Sequence, residues 1–199
     1  MKIIIVRHAQ CYHNTQKRVS GLYTTLTPLG KKQAERLARR LLQENIDVIY
    51  SSDLIRCKQT IKPFLQLRKV PIYYIKGLRE RNYGIFHGKP RFQLDKWLEK
   101  ERHTNMFVKL PEGESVKEAR ARAALILGKI ISKEKGKNVL IVTHGGFKVA
   151  ILLNLFGENE NEHYHKYKNE NTAMTIIEIK DKGNHSIKLL NSIAHLEDI

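Results

Sequence analysis

The sequence has 199 residues, 41% of them hydrophobic, which suffices for one compact domain with a real core and is short for two. No apolar run approaches the ~20 residues that carry a helix across a bilayer, so no membrane partner is expected. The formal net charge of +16, from 36 Lys+Arg against 20 Asp+Glu, points to an anionic partner, either nucleic acid or a small phosphorylated compound.

Residues 2–6 form a continuous apolar run, the pattern of a strand buried on both faces, and the run stops abruptly at Arg7-His8. With one Lys and no small-residue cleavage site, it reads as a first strand and not a signal peptide, which makes the cytoplasm the expected location. A polar stretch follows to Leu26. Thr27-Pro28 then opens a helix, Thr as N-cap and Pro at the first position, with Leu29, Ala34, Leu37, Leu41 and Leu42 at helical spacing. Residues 47–51 read as a second strand, Ser52 as the cap of a helix to about Leu67, and 71–75 as a third strand. Residues 78–111 are less regular, with a helix expected near 90–102. Ser115 to Lys135 is an amphipathic helix whose stripe is Val116, Ala119, Ala123, Ile126, Leu127 and Ile130. Residues 139–142 give a fourth strand, followed by His144-Gly145-Gly146 and an apolar helix to Phe156. The end reads as a hairpin, 172–180 and 185–193, turning at 181–184.

Strands that alternate with helices predict an α/β fold: a three-layer sandwich with a mostly parallel central sheet, an antiparallel edge hairpin and helices on both faces. We expect a single domain over 1–199, with 78–111 as a cap over the site. In such sheets ligands bind outside the carboxyl ends of the strands. Arg7 and His8 stand after the first strand, Ser51, Ser52 and Arg56 after the second, Glu80 after the third, and Thr143 and His144 after the fourth. Two guanidiniums and a helix N-terminus can hold a dianionic phosphoryl group. A neutral imidazole can attack phosphorus, and a carboxylic acid can protonate the leaving oxygen and then act as base on water. This chemistry needs no metal and no cofactor. The spacing His163-Tyr164-His165, even with Glu160 and Glu162 nearby, reads as a solvent loop and not a metal site. Cys11 and Cys57 read as free thiols. No nucleic-acid-binding motif or aromatic-basic stripe stands out, so the anionic partner expected is a small phosphorylated substrate.

Taken in order, "VRHAQCYHN", "SGLYTTLTPLGKKQA", "SSDLIRCKQT", "LRERNYGIFHG", "PEGES", "VTHGG" and "NTAMTIIEI" resemble the successive blocks of the histidine phosphatase superfamily, the phosphoglycerate-mutase-like fold. The resemblance covers nearly the whole chain. It implies that His8 is a transiently phosphorylated nucleophile, that Arg7, Arg56 and His144 bind the phosphoryl oxygens, and that Glu80 is the general acid/base. It further implies a hydrogen bond from Asn14 and substrate contacts at Ser20, Gly21 and Tyr83. The usual Gly and Ser/Thr of the first block are Ala9 and Cys11 here, and Thr24-Thr25 replace a common Asp in the second. Gln10 and "ERNYG" lean toward the 2,3-bisphosphoglycerate-dependent phosphoglycerate mutases. The short chain, "HGG" and the absence of paired arginines between 100 and 120, where Arg102 stands alone, lean toward phosphatases. The expected activity is metal-independent phosphomonoester hydrolysis, with the mutase as alternative. A non-catalytic binding module is disfavoured because His8, Arg56, Glu80 and His144 are all present, and a nucleic-acid binder is the remaining non-enzyme reading. The sequence leaves the oligomeric state open.

Overall fold

Ile3, Ile4, Ile5 and Val6 are all fully buried, and a pleated strand can bury consecutive side chains only when both of its faces are covered. The computed structural model, which describes residues 1–100, 108–159, 165–180 and 184–197, shows how. Strand β1 (Lys2–Arg7) lies inside a six-stranded sheet with β2 (Val48–Ser52), β3 (Ile72–Ile75), β4 (Asn138–Thr143), β5 (Met174–Glu178) and β6 (Ser186–Ser192). The order is β3-β2-β4-β1-β5-β6. The first four strands pair in parallel; β5 is antiparallel to β1 and to β6. Around the sheet lie α1 (Tyr12–Thr15), α2 (Pro28–Leu41), α3 (Ile55–Leu67), α4 (Arg91–Lys100), α5 (Val116–Lys133) and α6 (Gly145–Phe156).

Alternation along β1 divides the core. Ile3 and Ile5 pack with Ile141 of β4, Leu127 of α5 and Ile151 of α6, while Ile4 and Val6 pack with Leu140 of β4, Leu37 of α2 and Phe64 of α3. Each of these buried apolar side chains contributes roughly 2 kcal/mol of transfer free energy, so the sandwich is held from both sides of one strand. The expected three-layer architecture with an antiparallel edge pair is the observed one.

Helix starts follow their chemistry. Thr27 Oγ1 accepts from the Gly30 amide at 2.9 Å. Ser115 and Glu118 form a reciprocal capping box at 3.0 and 2.8 Å. Three expectations need correction. Ser52 closes β2, and the N-cap of α3 is Leu54. Leu29 and Leu42 lie outward, 41% and 44% exposed. The reason is at Gly30: a Cβ there would fall 2.0 Å from the Gln10 carbonyl oxygen, so α2 lays its glycine against the loop after β1, with Ala34 beside Ala9 and Cys11 and Ala38 in the core. The predicted turn at 181–184 falls mostly outside the described residues, as do Arg102, Glu160, Glu162, His163 and Tyr164.

Candidate active site

Parallel pairing puts the carboxyl ends of β1, β2 and β4 on one edge. Arg7 is level with Thr143, and the next amide, of His8, donates to the Thr143 carbonyl at 2.9 Å. His8 and His144 therefore leave neighbouring strands side by side, with ring centroids 5.2 Å apart at 62°. Arg56, from the first turn of α3, reaches the same edge and is completely buried. Its Nε and Nη2 face His144 Nδ1 at 3.3 and 3.1 Å, and its Nη1 donates to the Gly21 carbonyl at 2.7 Å.

These contacts fix both tautomers. A guanidinium can only donate, so His144 Nδ1 accepts and its proton sits on Nε2, 2.9 Å from Ser52 Oγ. A carbonyl can only accept, so His8 Nδ1, 2.7 Å from the Ala9 oxygen, carries the proton. His8 Nε2 is left with its lone pair and no partner among the described residues. Burial, then the charges of Arg56 and Arg7, hold His8 well below the usual histidine range. Burial, then Arg56 and His8, do the same for His144.

The rest of the ring is built by loops. Arg7 Nη1 donates to the Asn169 carbonyl. Glu80 accepts the Gly146 amide on Oε2 and the Arg81 amide on Oε1, both at 3.0 Å. The carboxylate thus sits at the N-terminus of α6, where a Cβ on residue 146 would come within 2.9 Å of Oε1. A cavity of about 300 Å³ is lined by Arg7, Asn14, Ser20, Glu80, Tyr83 and Gly146, together with Arg18, Arg91, Lys168 and Glu170. Gly21 lines an adjoining cavity of about 280 Å³ that shares Ser20 and Glu80 with the first.

The sequence-derived residues thus gather at one rim, with two refinements. Both nitrogens of His144 are engaged, by Arg56 and Ser52, so it braces Arg56. Gly21 gives its carbonyl to Arg56 and its amide to His13 Nδ1 at 2.9 Å. Arg18, Arg91, Lys168 and Glu170 are not legible in the sequence, because an isolated charge carries no local signal of facing a cavity. The departures in the first block are accommodated: Cys11 Sγ donates to Asn14 Oδ1 at 3.1 Å as a hydroxyl would, and the Ala9 amide donates to Thr60 Oγ1 at 2.9 Å. Both cysteines are free and buried. Burial pushes the Cys57 thiol up to about 12, so it stays protonated. No group of three or more His, Cys, Asp or Glu suited to a metal occurs among the described residues, and no helix there is long and apolar enough to cross a membrane.

The family model of the histidine phosphatase superfamily (branch 1) matches residues 3–192. "Probable phosphatase C1687.21" of Schizosaccharomyces pombe is 32% identical, over 99% of this chain and 96% of its own. "Broad-specificity phosphatase YOR283W" of Saccharomyces cerevisiae is 32% identical, over 100% of this chain and 88% of its own. Among solved structures, Bacillus stearothermophilus YhfR superposes with a TM-score of 0.88 at 26% identity, covering 98% of this chain and 99% of that one. The chain belongs to the histidine phosphatase superfamily, and its enzymatic class is that of a phosphatase.

Proposed function

We propose that this protein hydrolyses phosphomonoesters without a metal, through a phosphohistidine formed on His8. The observation that carries the reading is the His8 tautomer: Nδ1–H is held by the Ala9 carbonyl at 2.7 Å, and the Nε2 lone pair stays available. The Nε2 pair attacks phosphorus, and the bond to the ester oxygen breaks. Glu80, entering as the acid, gives that oxygen its proton. The resulting carboxylate takes a proton from water, whose oxygen displaces His8 and releases inorganic phosphate. Arg7 and Arg56 bind the phosphoryl oxygens, His144 holds Arg56, and the N-terminus of α6 adds positive potential. Asn14, Ser20 and Tyr83 contact the substrate. The described part of 78–111, residues 78–100 and 108–111, acts as a cap within one domain, a reading supported by the apolar cluster of Val19, Phe86, Leu94 and Leu110.

The alternative is a 2,3-bisphosphoglycerate-dependent mutase, toward which Gln10 and the stretch around Tyr83 lean in sequence. The test is phosphate release from a panel of phosphomonoesters, including 3-phosphoglycerate, in EDTA, for wild type and His8→Ala. Wild type releases phosphate, and the variant loses at least about 10³-fold in kcat. Loss of wild-type activity in EDTA, or faster isomerisation of 3-phosphoglycerate than hydrolysis when bisphosphoglycerate is supplied, overturns the reading.

A further inference from the structure

His13 has no part in the chemistry above, yet it touches the segment that holds Arg56. It lies in α1, a helix of only four residues. Its amide donates to Thr24 Oγ1 at 3.3 Å, and its carbonyl accepts from the Arg18 amide at 3.0 Å, so its backbone is tied on both sides. Its ring reaches eight residues ahead, where Nδ1 accepts the Gly21 amide at 2.9 Å. The carbonyl of that same glycine takes Arg56 Nη1 at 2.7 Å. One residue earlier, the Ser20 carbonyl lies 3.0 Å from His87 Nδ1, and His87 Nε2 accepts the Tyr83 amide at 3.2 Å. Residues 20–21 are therefore gripped by two imidazoles arriving from two separate segments.

We propose that His13 is a positioning residue for the phosphoryl site: by accepting the Gly21 amide it fixes the Gly21 carbonyl, which aims the guanidinium of Arg56. A guanidinium is planar, and two of its edges are already committed, one to Gly21 and one to His144. Moving either anchor rotates the whole group. The proposal rests on the reading of Arg56 as a phosphoryl ligand.

The grip has a chemical condition. An amide N–H can only donate, so His13 Nδ1 must keep its lone pair. A second proton on the ring would place N–H against N–H across 2.9 Å and break the contact. The charged groups acting on the ring are Arg56, from α3, and Arg18, from the turn after α1. Burial and these two cations hold His13 below its usual range, so the grip survives at neutral pH and fails in acid. Gly88 approaches the ring from the cap side and brings no charge.

The test compares wild type, His13→Ala and His13→Asn as full chains. Asn places an acceptor oxygen near the position of Nδ1 and does not titrate. The measurements are kcat/KM on one phosphomonoester across pH 4.5–8, the inhibition constant of inorganic phosphate, and the thermal midpoint. His13→Ala lowers kcat/KM by about 10- to 100-fold and weakens phosphate inhibition, as misplacing a charge clamp does. His13→Asn recovers activity to within about 3-fold at pH 7, and its acid limb moves to lower pH than wild type on the same substrate. A folded His13→Ala with wild-type kcat/KM and phosphate inhibition overturns the proposal while leaving the phosphatase reading intact. If His13→Ala does not fold, an unshifted acid limb in His13→Asn overturns it. A wild type that releases no phosphate from any ester removes the reading of the site and the proposal together.

Discussion

Two histidines in edge-to-face contact carry opposite tautomers because their neighbours differ. His8 has a carbonyl on Nδ1, and His144 has a guanidinium there. The same logic places Glu80. Its carboxylate is held by two backbone amides, those of Gly146 and Arg81. The closeness of Gly146 is part of that arrangement. Adding a Cβ there brings it within 2.9 Å of Oε1, the far end of a side chain that can yield by tenths of an ångström. Folding is therefore little affected, but the acid of the proposed mechanism moves off its mark. Gly146→Ala should lower kcat about 10-fold, since sub-ångström displacement of a catalytic group is costly, with the thermal midpoint unchanged within about 2 °C. Unchanged kcat would show that the Glu80 position is not critical.

Helix α6 carries a second buried base that catalysis does not use. Lys148 is fully buried, and its Nζ donates to the Ala173 carbonyl at 2.8 Å, just behind Arg7. Burial, and then Arg7, push it from 10.5 down to about 7. Between those values the unfolded chain holds a proton that the folded chain has released. Unfolding takes that proton up, so stability rises with pH from about 7 toward 10.5, and below 7 the slope ends. Unfolding free energies from urea titrations at pH 7 and pH 9 should differ by about 2 kcal/mol more in wild type than in Lys148→Met. Equal differences in the two proteins would place the charged form inside the fold. The signals readable in the sequence at this scale were those of periodicity: the doubly buried run of β1, the caps at Thr27 and Ser115, the stripe of α5 and the edge hairpin. Strand ends followed from them, and with them Arg7, His8, Arg56, Glu80 and His144. What stayed hidden depended on close approach. Helical spacing alone turns Leu29 inward, because it does not report that Gly30 touches Gln10. His13 was invisible for a related reason, since no spacing rule reports which amide a ring will meet eight residues on.

The whole molecule carries +16, and the cavity beside Glu80 is lined by Arg7, Arg18, Arg91 and Lys168 against Glu80 and Glu170. Other cations are paired on the surface, Lys109 with Glu118 and Lys188 with Glu178 among them, and such exposed pairs add little stability. The excess charge instead creates a field that draws dianions toward the rim from beyond contact distance. Encounter and binding then carry the salt dependence, whereas the bond-making step of the proposed mechanism would take place among buried groups, His8, Arg56 and His144, that added salt screens much less. Raising ionic strength from about 20 to 300 mM shortens the screening length several-fold and should lower kcat/KM for a phosphomonoester dianion by about 10-fold. The loss belongs in KM, with kcat changing less than about 2-fold. A kcat/KM flat across that range would mean that the charge serves some other anion. In that case duplex nucleic acid should bind in a salt-sensitive way that survives His8→Ala. If instead kcat falls in parallel with kcat/KM, the screened charges act in the transition state itself, and the exposed ring of Arg18, Arg91 and Lys168 reaches further into the chemistry than its position at the rim implies.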